Sequence, residues 1–175
     1  MDRSANHWDG LLTGVALATL DGDQGYGLVE DAALGWRDGL LAFVGRAADL
    51  PADALADARY EWDGGLVTPA LVDCHTHLVF AGDRAREFEM RLQGESYEAI
   101  ARTGGGILST VRAVRAASED ALFEQSLPRA RALLCDGVAT LEIKSGYGLD
   151  LENERKLLRV ARRIGDELGI GVRTT

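Results

Sequence analysis

The chain has 175 residues, a formal net charge of −9 and a mean hydropathy of −0.07. This composition indicates a globular protein, and no apolar run approaches the ~18 residues that a membrane-spanning helix requires. An acidic chain without a basic block is a poor candidate for binding nucleic acid or an anionic membrane surface. The N-terminal residues carry no secretory signal, so we expect a cytoplasmic protein.

The first third of the chain predicts a small β domain over residues 1–67. It is rich in Gly, Val, Leu and Ala and contains short strand-like runs, of which Leu11–Leu20 is one. The runs Ala32–Trp36 and Leu40–Val44 flank Arg37-Asp38-Gly39, which is typical of a hairpin turn.

The next segment is an apolar run, Leu66–Val72, that ends in polar side chains of the kind that bind metals. Such a run is typical of a fully buried parallel strand. His75 and His77 share one face of that strand because side chains alternate, so both imidazoles can reach one divalent ion. Asp73 shares the face and could orient one of the histidines. Two packed or solvated histidines without a metal are the alternative.

Helices and strands then alternate to the end of the chain. Ser118 and Asp150 can each cap a helix, and the strands Val138–Ile143 and Ile170–Thr174 follow these helices. This alternation predicts a parallel α/β fold. Because three parallel strands cannot close a barrel, the segment is either an open sheet or part of a larger enzyme.

Two loops could contact a substrate. Arg84 follows the predicted histidine strand and could bind a carboxylate through a two-pronged hydrogen bond, although Arg86 and Arg91 are equal candidates on composition. The run Gly104-Gly105-Gly106 could bind an anion through its backbone N–H groups or could serve only as a flexible turn.

Polar side chains also end the Val138–Ile143 strand. Glu142 and Lys144 share a face and could form an ion pair, or Lys144 could approach a metal. Tyr147 lies between two glycines, where it could project its phenol into a site or pack as an ordinary core or surface tyrosine.

With these motifs in view, the segment from Thr68 to Thr175 resembles the imidazolonepropionase family of the amidohydrolase superfamily. The His-x-His strand is common to the superfamily, whereas the later stretches are specific to this family. The matching stretches are Val72–Phe80, Arg91–Gly94 with Ser96-Tyr97, Gly104–Val111, Arg115–Ser118 and Glu142–Leu149.

The resemblance implies an α/β fold in which residues 68–175 form the first βα units of a TIM (β/α)8 barrel, preceded by half of a small β-sandwich in residues 1–67. It implies one Zn or Fe ion and hydrolysis of 4-imidazolone-5-propanoate to N-formimidoyl-L-glutamate in histidine degradation. By position, two of the family's metal ligands match His75 and His77, and its substrate-binding residues match Arg84, Tyr147 and, less closely, Tyr97.

The family's remaining metal ligands and its catalytic glutamate lie downstream of residue 175. We therefore expect an incomplete barrel, no catalytic acid or base within this chain, and an inactive fragment of a full-length protein that could form a homodimer. The alternatives are another metal-dependent cyclic amidohydrolase or deaminase, similar to dihydroorotase or hydantoinase, and a non-catalytic fragment that folds only with the rest of its chain.

Overall fold

The computed structural model describes residues 5–23 and 25–175, apart from the side chain of Ala101. The chain divides into two compact units, residues 1–69 and 70–175. No helix in the described part of the chain is long and apolar enough to cross a membrane.

The first unit is a five-stranded sheet. The strand order is β3-β2-β1-β4, and β5 also pairs with β1. Strand β1 is antiparallel to β2 and parallel to β4 and β5. The strands are β1 His7–Ala18, β2 Leu28–Arg37, β3 Leu40–Arg46, β4 Leu55–Glu61 and β5 Leu66–Val67, with a short 3-10 turn at Ala47–Asp49.

The predicted hairpin joins β2 and β3. Arg37 pairs with Leu40, which leaves Asp38 and Gly39 as the two turn residues. Both have positive φ, 54° and 76°, as a two-residue turn of this hand requires. The backbone N–H of Asp38 also donates to the Asp9 carboxylate at 2.7 Å.

The second unit is a parallel α/β structure with the strand order β6-β7-β8. This confirms the predicted fold class. The strands are β6 Leu71–Thr76, β7 Val138–Ile143 and β8 Gly171–Thr174, and the helices are α1 Ala85–Leu92, α2 Tyr97–Arg102, α3 Ile107–Ala116, α4 Glu119–Cys135 and α5 Leu151–Leu168.

The two long helices begin where the sequence predicts. The Ser118 hydroxyl accepts a hydrogen bond from the backbone N–H of Ala121 at 3.1 Å. The Asp150 carboxylate accepts one from the backbone N–H of Asn153 at 2.8 Å. These bonds satisfy donors that the first helical turn leaves free. The helices bury apolar side chains against β7 in one core that includes Leu122, Ala130, Leu141, Leu157 and Ile164.

The prediction of one fully buried strand is wrong in two respects. Leu66–Val67 pairs with β1 in the first unit, whereas the second part of the run starts a separate strand at Leu71. Pro69 lies between them and has no N–H to donate to a ladder. Strand β6 is also at the edge of its sheet in the described residues, and Leu71 and Val72 are 56% and 66% exposed.

Candidate functional site

The two histidines meet at the C-terminal end of β6. His75 lies in the strand and His77 lies one residue beyond it. Their ring centroids are 5.6 Å apart and the rings are inclined at 64°. The ladder to β7 shifts register between Asp73 and Thr76, a segment that includes His75, so the regular pairing of the strand is interrupted at the site. The structure nevertheless places the two imidazoles side by side.

His77 is half-buried, with its ring between those of His75 and Tyr147. The centroid of the Tyr147 ring lies 5.6 Å from that of His77. The Nδ1 atom of His77 is buried and has no hydrogen-bond partner among the described residues. Leaving a buried polar atom without a partner costs free energy, so this imidazole fits a site where another group binds it.

Gly146 allows the following loop to pack against that ring. Its φ is +135°, and a Cβ atom at this position would lie 3.2 Å from Cε1 and 3.4 Å from Nδ1 of His77. A side chain here would meet both an unfavourable backbone conformation and a crowded neighbour. The absence of a side chain on Gly146 therefore leaves room for the His77 ring.

Glu142, in β7, forms an ion pair with Lys144, the residue that follows the strand, with 2.5 Å between Oε1 and Nζ. The Thr175 hydroxyl donates to the same oxygen of Glu142 and accepts from Lys144. Hydrogen bonds from Lys144 and then from Thr175 hold the pKa of the Glu142 carboxyl below its ordinary value. Of the two interpretations of Lys144, the structure favours the ion pair.

Asp73 does not act as predicted on the histidine rings. Its Oδ1 accepts a hydrogen bond from the backbone N–H of His75 at 3.2 Å. No hydrogen bond among the described residues links it to an imidazole nitrogen. The Asp73 side chain is short, so its carboxylate accepts from the backbone N–H two residues along the strand.

A cleft of about 430 Å³ places Arg84 and Tyr147 in one lining. Arg86 and Arg91 are not part of this lining. The structure therefore distinguishes Arg84 from the two arginines that the sequence left as equal candidates. The remaining lining residues are Phe80, Gly82, Asp83, Thr110 and Arg129.

Arg84 is held by Glu87, a residue that the sequence analysis missed. The Nε and Nη2 atoms of Arg84 donate to one oxygen of Glu87 at 2.8 and 2.6 Å. The other carboxylate oxygen accepts from the backbone N–H of Gly106 at 2.9 Å. The hydrogen bond from Arg84 is the main cause of the lowered pKa of Glu87, and it also raises the pKa of Arg84. Glu87 thereby ties the arginine to the glycine-rich loop.

Tyr97 lies at the rim of this region and is 65% exposed. Its hydroxyl is 4.0 Å from the position that a Cβ on Gly106 would occupy. Tyr97 and Tyr147 both act electrostatically on Arg84 and slightly raise the pKa of its guanidinium, although the hydrogen bond to Glu87 is the larger cause. Arg84 and Tyr147 therefore share one cleft lining, and Tyr97 lies outside it.

Solved structures share this fold. An adenosine deaminase from Xanthomonas campestris with bound zinc superposes with a TM-score of 0.64 at 14% identity, over 95% of this chain and 33% of that one. Triazine hydrolase from Arthobacter aurescens gives 0.61 at 18% identity, over 95% and 35%. The A. niger ochratoxinase gives 0.59 at 21% identity, over 94% and 30%. At these identities the likeness shows a shared α/β fold.

No family model matches the chain, but curated proteins with similar sequences are imidazolonepropionases. The imidazolonepropionase of Ralstonia nicotianae is 62% identical over 169 residues, which cover 96% of this chain and 41% of the relative. That of Paracoccus denitrificans is 57% identical over 94% of this chain and 42% of the relative. The chain thus spans about two fifths of the length of the curated relatives it matches. Over this matched length the chain is similar to imidazolonepropionases.

The contact between Gly146 and the His77 ring can be tested by substitution of the glycine. Gly146→Ala should displace the His77 ring, because the added methyl group would lie against Cε1 and Nδ1. We expect a loss of stability of about 1 kcal/mol or more, together with altered His77 imidazole resonances in NMR spectra.

Gly137→Ala is the matched control. Gly137 also has a positive φ, +91°, but a Cβ there would meet nothing within 4 Å. The control should lose stability while leaving the His77 signals in place. Equal spectral changes in both variants would contradict the contact.

Proposed function

We propose that these residues form the N-terminal part of an imidazolonepropionase, which hydrolyses the cyclic amide of 4-imidazolone-5-propanoate to N-formimidoyl-L-glutamate. The position of Tyr147 supports this proposal independently of sequence similarity. The ring of Tyr147 contacts that of His77 on one side and lines the cleft of Arg84 on the other. A group suited to bind metal and a group suited to bind a carboxylate are thus joined through one aromatic side chain.

The histidine pair would hold one divalent ion, Zn or Fe. Adjacent imidazoles and the unpartnered Nδ1 of His77 fit such an ion. The zinc in the related solved structures supports zinc as the metal. When bound, the ion would supply a Lewis acid and lower the pKa of a water molecule, which is the chemistry that amide hydrolysis needs.

The rest of the catalytic machinery would come from outside these 175 residues. Catalytic zinc sites usually have three protein ligands, and no group of three metal-binding side chains occurs among the residues that the structure describes. The relatives continue well beyond the matched part. We therefore assign no catalytic acid or base to this chain. Below, "full-length enzyme" means a protein that contains this chain and is as long as its relatives.

Arg84 would bind the propionate carboxylate of the substrate. Glu87 occupies its Nε and Nη2 atoms, whereas Nη1 makes no hydrogen bond to the described residues. Because its side chain is 45% exposed, the guanidinium keeps an accessible edge. A carboxylate held there would fix the distance between the imidazolone ring and the histidines.

Tyr147 would contact the imidazolone ring, and Tyr97 would close the outer side of the cleft. Tyr147 is already oriented by Phe80, whose ring centroid is 6.3 Å away. In the full-length enzyme, residues 1–67 would form half of a β-sandwich and residues 68–175 the first βα units of a TIM barrel. An enzyme acting on this small polar metabolite would work in the cytoplasm.

The direct test is an assay of the full-length enzyme on 4-imidazolone-5-propanoate, with the 175-residue chain beside it and Zn or Fe added to both. We expect turnover from the full-length enzyme only. No turnover with any metal would contradict the proposed activity, and equal turnover from both proteins would contradict the assignment of essential groups outside this chain.

The metal assignment predicts that His75→Ala and His77→Ala each sharply reduce the metal content of the full-length enzyme, measured by atomic absorption after dialysis. His7→Ala is the control, because His7 lies in the first unit and bonds Asp57 at 2.8 Å. Wild-type metal content in both site variants would remove the pair as ligands.

The carboxylate assignment predicts that Arg84→Lys lowers kcat/KM about ten- to a hundredfold, because loss of one charge-assisted contact costs roughly 1.5–3 kcal/mol. Arg86→Lys makes the same change two residues away, on a side chain outside the cleft with Tyr147, and should leave kcat/KM near the wild-type value. An unaffected Arg84→Lys enzyme would shift the assignment to another residue.

A further inference from the structure

The loop that carries Tyr147 runs from Ser145 to Leu149, between β7 and α5. One carboxylate binds most of its backbone donors. Glu154, in the first turn of α5, accepts from the N–H of Gly146 at 2.6 Å through Oε2. Its other oxygen, Oε1, accepts from the N–H groups of Gly148 at 3.0 Å and Leu149 at 2.7 Å.

These bonds fix the two features of the loop that face the site. Gly146, bonded to Oε2, is the residue whose backbone packs against the His77 ring. Tyr147 lies between the two bonded segments, with its ring near both His77 and Phe80. A movement of the Glu154 carboxylate would therefore move the phenol and the histidine neighbour together.

The loop conformation requires such an anchor. Leu149 has a φ of +56°, which is unfavourable for a residue with a branched side chain and persists only where surrounding contacts impose it. Among the described residues, the loop is also held by the Thr175 carbonyl, which accepts from the Ser145 N–H at 2.9 Å, and by Arg115, which donates to the Gly148 carbonyl at 2.8 Å.

The carboxylate is charged under ordinary conditions. Burial raises the pKa of Glu154, but hydrogen bonds from the backbone of Leu149, Gly146 and Gly148 and from Ser145 outweigh it and lower the pKa below the ordinary value. Bonds to a charged acceptor are stronger than neutral ones. Three backbone N–H groups bonded to one carboxylate make Glu154 the main organiser of this loop.

We propose that Glu154 is a positioning residue for the substrate cleft: without touching substrate, it holds Tyr147 and the backbone of Gly146 in the arrangement that binding requires. The proposal rests on the proposed function for the identity of the substrate. Its structural part, the immobilisation of residues 145–149, stands on the hydrogen bonds alone.

The experiment uses Glu154→Gln in the full-length enzyme. The amide has the same shape but one acceptor oxygen, so its NH2 group must face at least one backbone N–H and that bond is lost. Glu152→Gln is the matched control, because it removes the same charge from the same helical turn on an exposed side chain. Glu154→Asp, one methylene shorter, is a second variant should the first fail to fold.

The first readout is amide hydrogen exchange at Gly146, Gly148 and Leu149. We expect at least tenfold faster exchange at one or more of them in Glu154→Gln, and no change in Glu152→Gln. Unchanged exchange in the Glu154 variants would overturn the proposal. Because this readout needs no turnover, it decides the loop contact even if the proposed activity fails in the wild-type enzyme.

The second readout separates positioning from mere stabilisation. We expect KM to rise about tenfold in Glu154→Gln, whereas a purely structural defect would reduce the amount of active enzyme and leave KM unchanged. In a Tyr147→Ala background the Glu154 substitution should raise KM by less than it does in the wild-type background, because Tyr147 transmits part of its effect. Additive effects, or an unchanged KM beside normal wild-type turnover, would overturn the positioning role.

Discussion

The parallel pairing of β6 with β7 determines where every candidate functional group lies. The ladder runs from Leu71 opposite Val138 to Thr76 opposite Ile143. At its end the Thr76 hydroxyl donates to the Glu142 carbonyl at 2.8 Å. Because parallel strands end at the same edge of a sheet, the residues that follow β6 and β7 meet there. Helices α1 to α4 form the crossover that this pairing requires, and they also present Arg84 and the glycine-rich loop.

The features that the sequence predicts well are those fixed by neighbours in the chain. Ser118 and Asp150 cap helices through bonds to residues three positions away. Asp38 and Gly39 form the hairpin turn because that pair tolerates positive φ. The alternation of helix and strand then follows from apolar spacing. In each case the deciding interaction lies within a few residues, so a linear pattern contains the necessary information.

The features that the sequence does not predict depend on contacts between distant segments. Glu87 reaches the N–H of Gly106, nineteen positions along the chain, and no local pattern marks that partner. The exposure of β6 depends on which strands flank it, and an apolar run does not show that. Arg84 and Arg86 have the same side chain, and their positions relative to Tyr147 and Glu87 distinguish them. The proximity of His75 and His77 could be predicted because they lie two residues apart at the end of one strand, whereas the residues that orient their surroundings could not.

Glu87 and Glu154 play parallel parts in an acidic protein of net charge −9. Each is a carboxylate near the cleft, where a free negative charge would repel an anionic substrate. Arg84 and the Gly106 N–H bind the first, and three backbone N–H groups bind the second. Both charges are thus offset by groups that also need a fixed position. The two carboxylates can therefore organise their loops without repelling the carboxylate of the proposed substrate. In this way an acidic protein can contain a cleft whose arginine binds an anion.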